Sequence, residues 1–187
     1  MLLFSASLFA DEDQLALPKP TYGLGDQMFS LNAGLFVPLF FNSSPAGIKP
    51  TNLKPGGVGS LEWDAFINDR ISLGVEVGGM FALSPLNRTL VMVPITFKFS
   101  YFLRSFPFEF PLFLGVGINF TKLQDDLYIG PILKPGASFY WAFNAQWSFG
   151  LNLVYWWVPQ WYIKDELKAQ TRYGNFLAIT LSALYHF

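Results

Sequence analysis

The sequence predicts an all-β fold, an eight-stranded antiparallel up-and-down β-barrel that crosses a membrane. Three observations predict it. Hydrophobic residues make up 52% of the 187 and charged residues only 13%, yet no stretch reaches the roughly 20 consecutive apolar residues of a transmembrane helix. Apolar and polar positions alternate with period two in one segment after another. The apolar stripe is almost uninterrupted, while the opposite stripe holds glycine, small polar residues and a few charges. A water-soluble barrel has the reverse arrangement, with a dry interior and a polar outside.

The elements follow in order. Met1–Ala10 is apolar with small residues and runs into Asp11-Glu12-Asp13, so 1–10 reads as a signal-peptide remnant. Residues 11–27, polar with Pro18 and Pro20, read as a periplasmic lead-in, and 28–187 as the barrel. In the first strand, 29–41, Phe29, Leu31, Ala33, Leu35, Val37, Leu39 and Phe41 oppose Ser30, Asn32, Gly34 and Pro38. The second, 57–67, is weaker: Leu61, Trp63, Ala65 and Ile67 stand against Ser60, Glu62, Asp64 and Phe66. The third, 71–83, sets Ile71, Leu73, Val75, Val77, Phe81 and Leu83 against Ser72, Gly74, Glu76, Gly78 and Met80.

Val91 through Leu103 form the fourth strand, with Met92, Pro94, Thr96, Lys98 and Ser100 on its mixed face. The fifth, 112–120, alternates Leu, Val, Ile and Phe with Phe113, Gly115, Gly117 and Asn119. The sixth is 137–143 and the seventh 147–157, where Trp156 falls on the mixed face. The eighth, 177–187, sets Leu177, Ile179, Leu181, Ala183, Tyr185 and Phe187 against Thr180, Ser182 and His186. Leaving out the weak second strand, every apolar-face position is apolar except Gly79. That face belongs against lipid. Only a closed barrel then satisfies every backbone N–H and C=O, and an even strand number with aromatic residues near the strand ends suits one.

Connectors are expected at 42–56, 68–70, 84–90, 104–111, 121–136, 144–146 and 158–174, mostly alternating long and short. Asn68-Asp69-Arg70 and Asn144-Ala145-Gln146 suit three-residue hairpin turns. The long connectors fall outside the cell if both termini are periplasmic.

Composition excludes several classes. A net charge of −1 gives no footprint for nucleic acid. With no Cys and a single His, His186, neither a thiolate site nor a catalytic triad is indicated. No metal, cofactor or catalytic residue is expected, and an enzyme is not. Asp125-Asp126 and Asp165-Glu166 read as solvated loop charges, and Lys164–Leu167, being internal, is not a retention signal.

Four segments carry a resemblance: Asn68–Glu76, Val93-Pro94-Ile95-Thr96, Gly115–Thr121 and the terminus Ala183–Phe187. Together they resemble the outer-membrane protein W (OmpW) family across most of 57–187. The compact first outer loop and the abundant loop proline depart from that family. The resemblance implies an outer-membrane barrel whose apolar lumen helps small hydrophobic molecules across, with exit through the wall as one route. The ending Tyr185-His186-Phe187 is similar to the terminal aromatic signature of outer-membrane barrels, which implies recognition of Tyr185 and Phe187 by the barrel-assembly machinery. Partners are thus outer-membrane lipids, small hydrophobic solutes and that machinery.

The inward positions divide by height. Phe36, Phe40, Met80, Leu90, Met92, Val154, Trp156 and Phe176 make an apolar outer half, whereas Ser30, Asn32, Glu62, Asp64, Glu76, Lys98, Ser182 and His186 make a polar inner half. The outer set is a funnel for apolar solutes or the packing of a narrow barrel. In the latter case the chain is a plugged structural or surface-interaction barrel acting through its outer loops. A turn at 68–70 sets Glu62 opposite Glu76, so the two repel and one has a raised pKa unless a cation intervenes. Lys98 is the expected one, giving a Glu62–Glu76–Lys98 cluster that acts as a structural plug or, less favoured, as a gate. Pro94 and, more weakly, Pro38 each mark a side opening or a local bulge.

Overall fold

The computed structural model describes residues 22–43, 47–84, 88–123, 126–160 and 172–187. The alternation expected from the sequence becomes a closed antiparallel barrel. Its described strands are β1 (Gln27–Ser43), β2 (Gly47–Pro50), β3 (Gly56–Phe66), β4 (Ile71–Leu83), β5 (Thr89–Ser105), β6 (Phe108–Leu123), β7 (Asp126–Ala142), β8 (Trp147–Gln160) and β9 (Arg172–His186). β1 and β3 to β9 pair in sequence order, and β1 pairs with β9 to close the ring at eight strands. The short β2 folds back on the last turn of β1, from Phe40↔Pro50 to Ser43↔Gly47. Both ends of the described chain lie at one end of the barrel, where Gln27 and Phe187 exchange backbone hydrogen bonds at 3.0 Å. We call this the terminal end and its opposite the far end.

The stripes point as expected. Leu31, Leu73, Phe97, Leu114, Leu151 and Leu181 are exposed on the outer wall, while Ser30, Ser72, Lys98, Asn152 and Ser182 are buried within. Glycine lets neighbouring strands accommodate large inward side chains. Gly74 and Gly115 flank Lys98 on β4 and β6, and a Cβ at Gly74 would fall on the Asp64 carboxyl. Turns at Asn68 and Asn144 are tied by their own side chains: Asn68 Oδ1 accepts from Arg70 N and Ile71 N, and Asn144 Oδ1 from Gln146 N and Trp147 N, at 2.7–2.8 Å. These Asx turns fix the hairpin registers.

Two connectors differ from expectation. The segment 104–111 is strand except for a two-residue turn, since Ser105 pairs with Phe108. The buried Glu109 meets Arg104 at 3.3 Å inside the barrel, so the expected connector holds an internal ion pair. The segment 121–136 is not a long loop either. β6 and β7 pair continuously from Leu112↔Ala137 to Leu123↔Asp126. Pro131, Pro135, Gly130 and Gly136 make this stretch look like a loop, but each proline places its missing N–H on the edge away from β6. The expectations for 1–10 and 11–21, for Asp125, for the Asp126 side chain and for 164–167 lie outside the described residues.

Candidate functional site

Far-end positions facing inward build one apolar plug. Phe36, Val58, Met80, Leu90, Met92, Val154, Trp156 and Phe176 are all buried in a single cluster with Ala82, Ile132, Val158 and Ala178. Its centre is aromatic: the Phe36 ring lies 5.3 Å from Trp156, edge-on, and 5.0 Å from Phe176. Phe40, expected here, is only half-buried and stands outside the cluster. A register shift between Pro38 and Phe40 against β9 turns Phe41 inward instead, where its ring meets Phe176 edge-on at 5.9 Å. Pro38 therefore sits beside a bulge.

Above the plug opens a cavity of about 410 Å³. Leu90, Met92, Leu123, Val158 and Phe176 form its base and walls, and Arg88 and Arg172 stand on its rim with exposed side chains. Leu53 reaches in from the connector between β2 and β3 and packs on the plug. Asn52, at φ 53°, makes the reversal that aims it, and Lys54 N is anchored on Leu83 O at 2.8 Å. Phe41 was expected on the lipid-facing stripe of the first strand and is turned inward by the bulge, whereas Arg88, Arg172 and Leu53 were not singled out, since they fall at strand margins or in a connector where alternation fades.

Below the plug the lumen is filled by charge. Glu62 and Glu76 face each other across β3 and β4 as the register arithmetic requires. Lys98 pairs with Glu62, but Glu76 takes its own cation, Lys134 of β7, at 2.6 Å. The polar layer is thus two ion pairs rather than a triad, with the buried Asp64 beside Glu62. Lys134 was missed because it lies in the stretch read as a loop. Each ammonium also lies against an aromatic face, Lys98 over Phe113 at 4.2 Å and Lys134 over Trp156 at 4.5 Å. Only about 20 Å³ of space separates these pairs from the aromatic plug, room for roughly one water molecule.

Around the same small space, Asn32 ties four strands together. Its Oδ1 accepts from Asn152 Nδ2 at 2.9 Å and Ser182 Oγ at 2.5 Å, and its Nδ2 donates to Ser60 Oγ at 3.1 Å. Tyr22, ahead of β1, stops the terminal end. Its ring packs on Phe66 at 4.4 Å and under the Arg104 guanidinium at 3.9 Å, and its hydroxyl donates to Glu109 at 3.4 Å. Burial, and then the Glu109 carboxylate, raise the Tyr22 phenol above its ordinary range despite the opposing Arg104. His186, buried beside it, contacts Ser148 Oγ at 3.1 Å. The axis is closed by three successive layers.

The wall is looser at two places. Between β4 and β5 the ladder stops at Val77↔Ile95 and resumes at Met80↔Met92, leaving Pro94 and Val93 unpaired with Gly78 and Gly79. Between β7 and β8 it thins more: beyond Gly136↔Val154 only Leu133↔Trp157 is paired. Pro131 and Pro135, four residues apart on one edge, lack the N–H groups that would reach β8. At the terminal end Tyr185 and Phe187 lie on the outer wall, their rings 6.1 Å apart.

Comparison with solved structures shows the same fold. The Neisserial surface protein A matches with a TM-score of 0.65 at 11% identity, over 87% of this chain and 97% of that one. The outer-membrane protein OprG of Pseudomonas aeruginosa gives 0.53 at 12% identity, over 89% and 98%. Ail, the attachment invasion locus protein of Yersinia pestis, gives 0.52 at 12%, over 88% and 99%. In sequence, an uncharacterised protein of Borreliella burgdorferi is 27% identical over 171 residues, 78% of this chain and 76% of its own length. A protein family of unknown function matches residues 10–185, and the chain belongs to that family.

Proposed function

We propose that this protein is an outer-membrane barrel, with its termini on the periplasmic side, that admits small hydrophobic molecules at its far end and releases them sideways into the bilayer. One observation carries the reading: an apolar cavity opens outward onto a buried apolar cluster while the axis beneath is closed by ion pairs. A solute that enters gains about 25 cal/mol for each Å² of apolar surface removed from water. Its cheapest way on is lateral, since crossing the floor means breaking paired charges. The thin β7–β8 ladder beside Pro131 and Pro135 is the favoured exit, and the Pro94 gap a smaller one. The resemblance to the OmpW family favours the same solute class. Nothing in the reading requires catalysis, a cofactor or nucleic acid. Tyr185 and Phe187, aromatic and outward, are the assembly signal in this reading.

Uptake of an apolar dye into vesicles containing the protein tests it. Uptake above that of empty vesicles, reduced severalfold by Met92→Asp, is the expected result; uptake equal to that of empty vesicles overturns it. The closed axis also favours a second reading, a plugged surface-interaction barrel acting through its far-end segments, and that reading predicts no dye uptake at all.

A further inference from the structure

We infer that the far-end cavity is a binding site for a single-chain amphiphilic carboxylate, such as a fatty acid, with its head on Arg88 and Arg172 and its tail on the plug. The inference rests on the apolar-solute reading and names the chemistry of the solute. A cavity meant for purely apolar molecules has no use for charge at its lip. Here, among the described residues, both ionic side chains that line it are arginines. The charged side chains described near this end are of one sign: Lys49 and Lys54 follow β1, Arg88 precedes β5, Lys122 closes β6 and Arg172 opens β9.

The two halves of the site match the two halves of such a ligand. Leu90, Met92, Leu123, Val158 and Phe176 offer apolar surface, interrupted by polar groups such as Thr121 and Gln160. Among the described residues, no acidic side chain lines the cavity to oppose an anion. The volume, about 410 Å³, lies at the small end of ligand pockets and suits one chain rather than the two of a phospholipid. A guanidinium holds a carboxylate through two parallel N–H···O bonds. Both arginine heads are exposed, so they remain hydrated and reach an arriving head group before its tail enters. The selectivity is therefore modest, and screened by salt.

The test uses the full chain in lipid nanodiscs carrying a fluorescent apolar dye, with empty discs subtracted. Dodecanoate and dodecanol, which share one tail, compete for the dye at neutral pH. Dodecanoate is expected to displace it at about one tenth the concentration of dodecanol, a difference worth about 1.4 kcal/mol. Arg88→Gln with Arg172→Gln abolishes that difference and leaves dodecanol unchanged, and high salt shrinks it. Equal competition by the two ligands overturns the inference while leaving the apolar cavity standing, as does a carboxylate preference that survives the double substitution. Absence of protein-dependent binding by dodecanol and dodecanoate alike overturns both readings. Since both arginines are exposed, the variants keep the barrel intact, which the unchanged dodecanol value verifies.

Discussion

Lys134 and Glu76, 58 residues apart in the chain, meet at 2.6 Å in the interior of the barrel. The contact joins β4 to β7 across the lumen, between strands that are not neighbours in the sheet. Lys134→Met leaves the Glu76 carboxylate buried and alone, and should cost about 3–5 kcal/mol. Adding Glu76→Leu to the same chain removes the stranded charge, and most of that loss should return. Urea unfolding of the protein in lipid vesicles, followed by tryptophan fluorescence, measures both. A double variant no more stable than the single one refutes the account.

Trp156 is the largest fully buried side chain of the plug, packed on Phe36 and lying beneath the Lys134 ammonium. Trp156→Ala should destabilise the barrel by about 3–5 kcal/mol. It should also deepen the cavity, so that a bulkier dye than the native protein accepts is taken up. Dye binding against dye size reads this directly.

Pro131 and Pro135 leave the far half of the β7–β8 ladder almost unpaired. Replacing both by Val supplies two backbone donors. The expected result is a barrel more stable by about 1–2 kcal/mol that passes apolar dye into the bilayer severalfold more slowly. Faster or unchanged passage with restored pairing would place the exit elsewhere.

Tyr22 seals the terminal end against Phe66 and Arg104. The chain contains no Cys, so a single Ser148→Cys reports access to the lumen without background. Its reaction with a hydrophilic thiol reagent should be slow, and several times faster once Tyr22→Ala is added. The raised Tyr22 pKa adds a pH dependence. In the unfolded chain the phenol ionises near pH 10, whereas in the barrel it holds its proton longer. Its stabilisation is therefore complete below pH 10 and is lost as pH climbs through the higher folded value. Alkaline pH speeds Ser148→Cys labelling in both chains because the thiol ionises, and the advantage of the Tyr22→Ala chain over the chain with Tyr22 should shrink as pH rises.

The barrel, its strand pairing from Glu62↔Glu76 outward and the direction of its stripes were legible in the sequence, because all three follow from a strict period of two in a solvent that tolerates no unpaired backbone. The far-end apolar residues were legible for the same reason, Phe40 excepted: a bulge at Pro38 changes parity, and parity is all that a linear pattern contains. The tertiary structure decided the remaining partners that close the lumen. Lys134 finds Glu76, Arg104 finds Glu109 and Tyr22 finds Arg104 only after the ring has closed. It also decided that a proline-rich stretch is strand, since a proline's missing donor matters only on the edge where a neighbour waits. Alternation along the chain sets which face a side chain takes; curvature of the closed sheet sets whom it meets there.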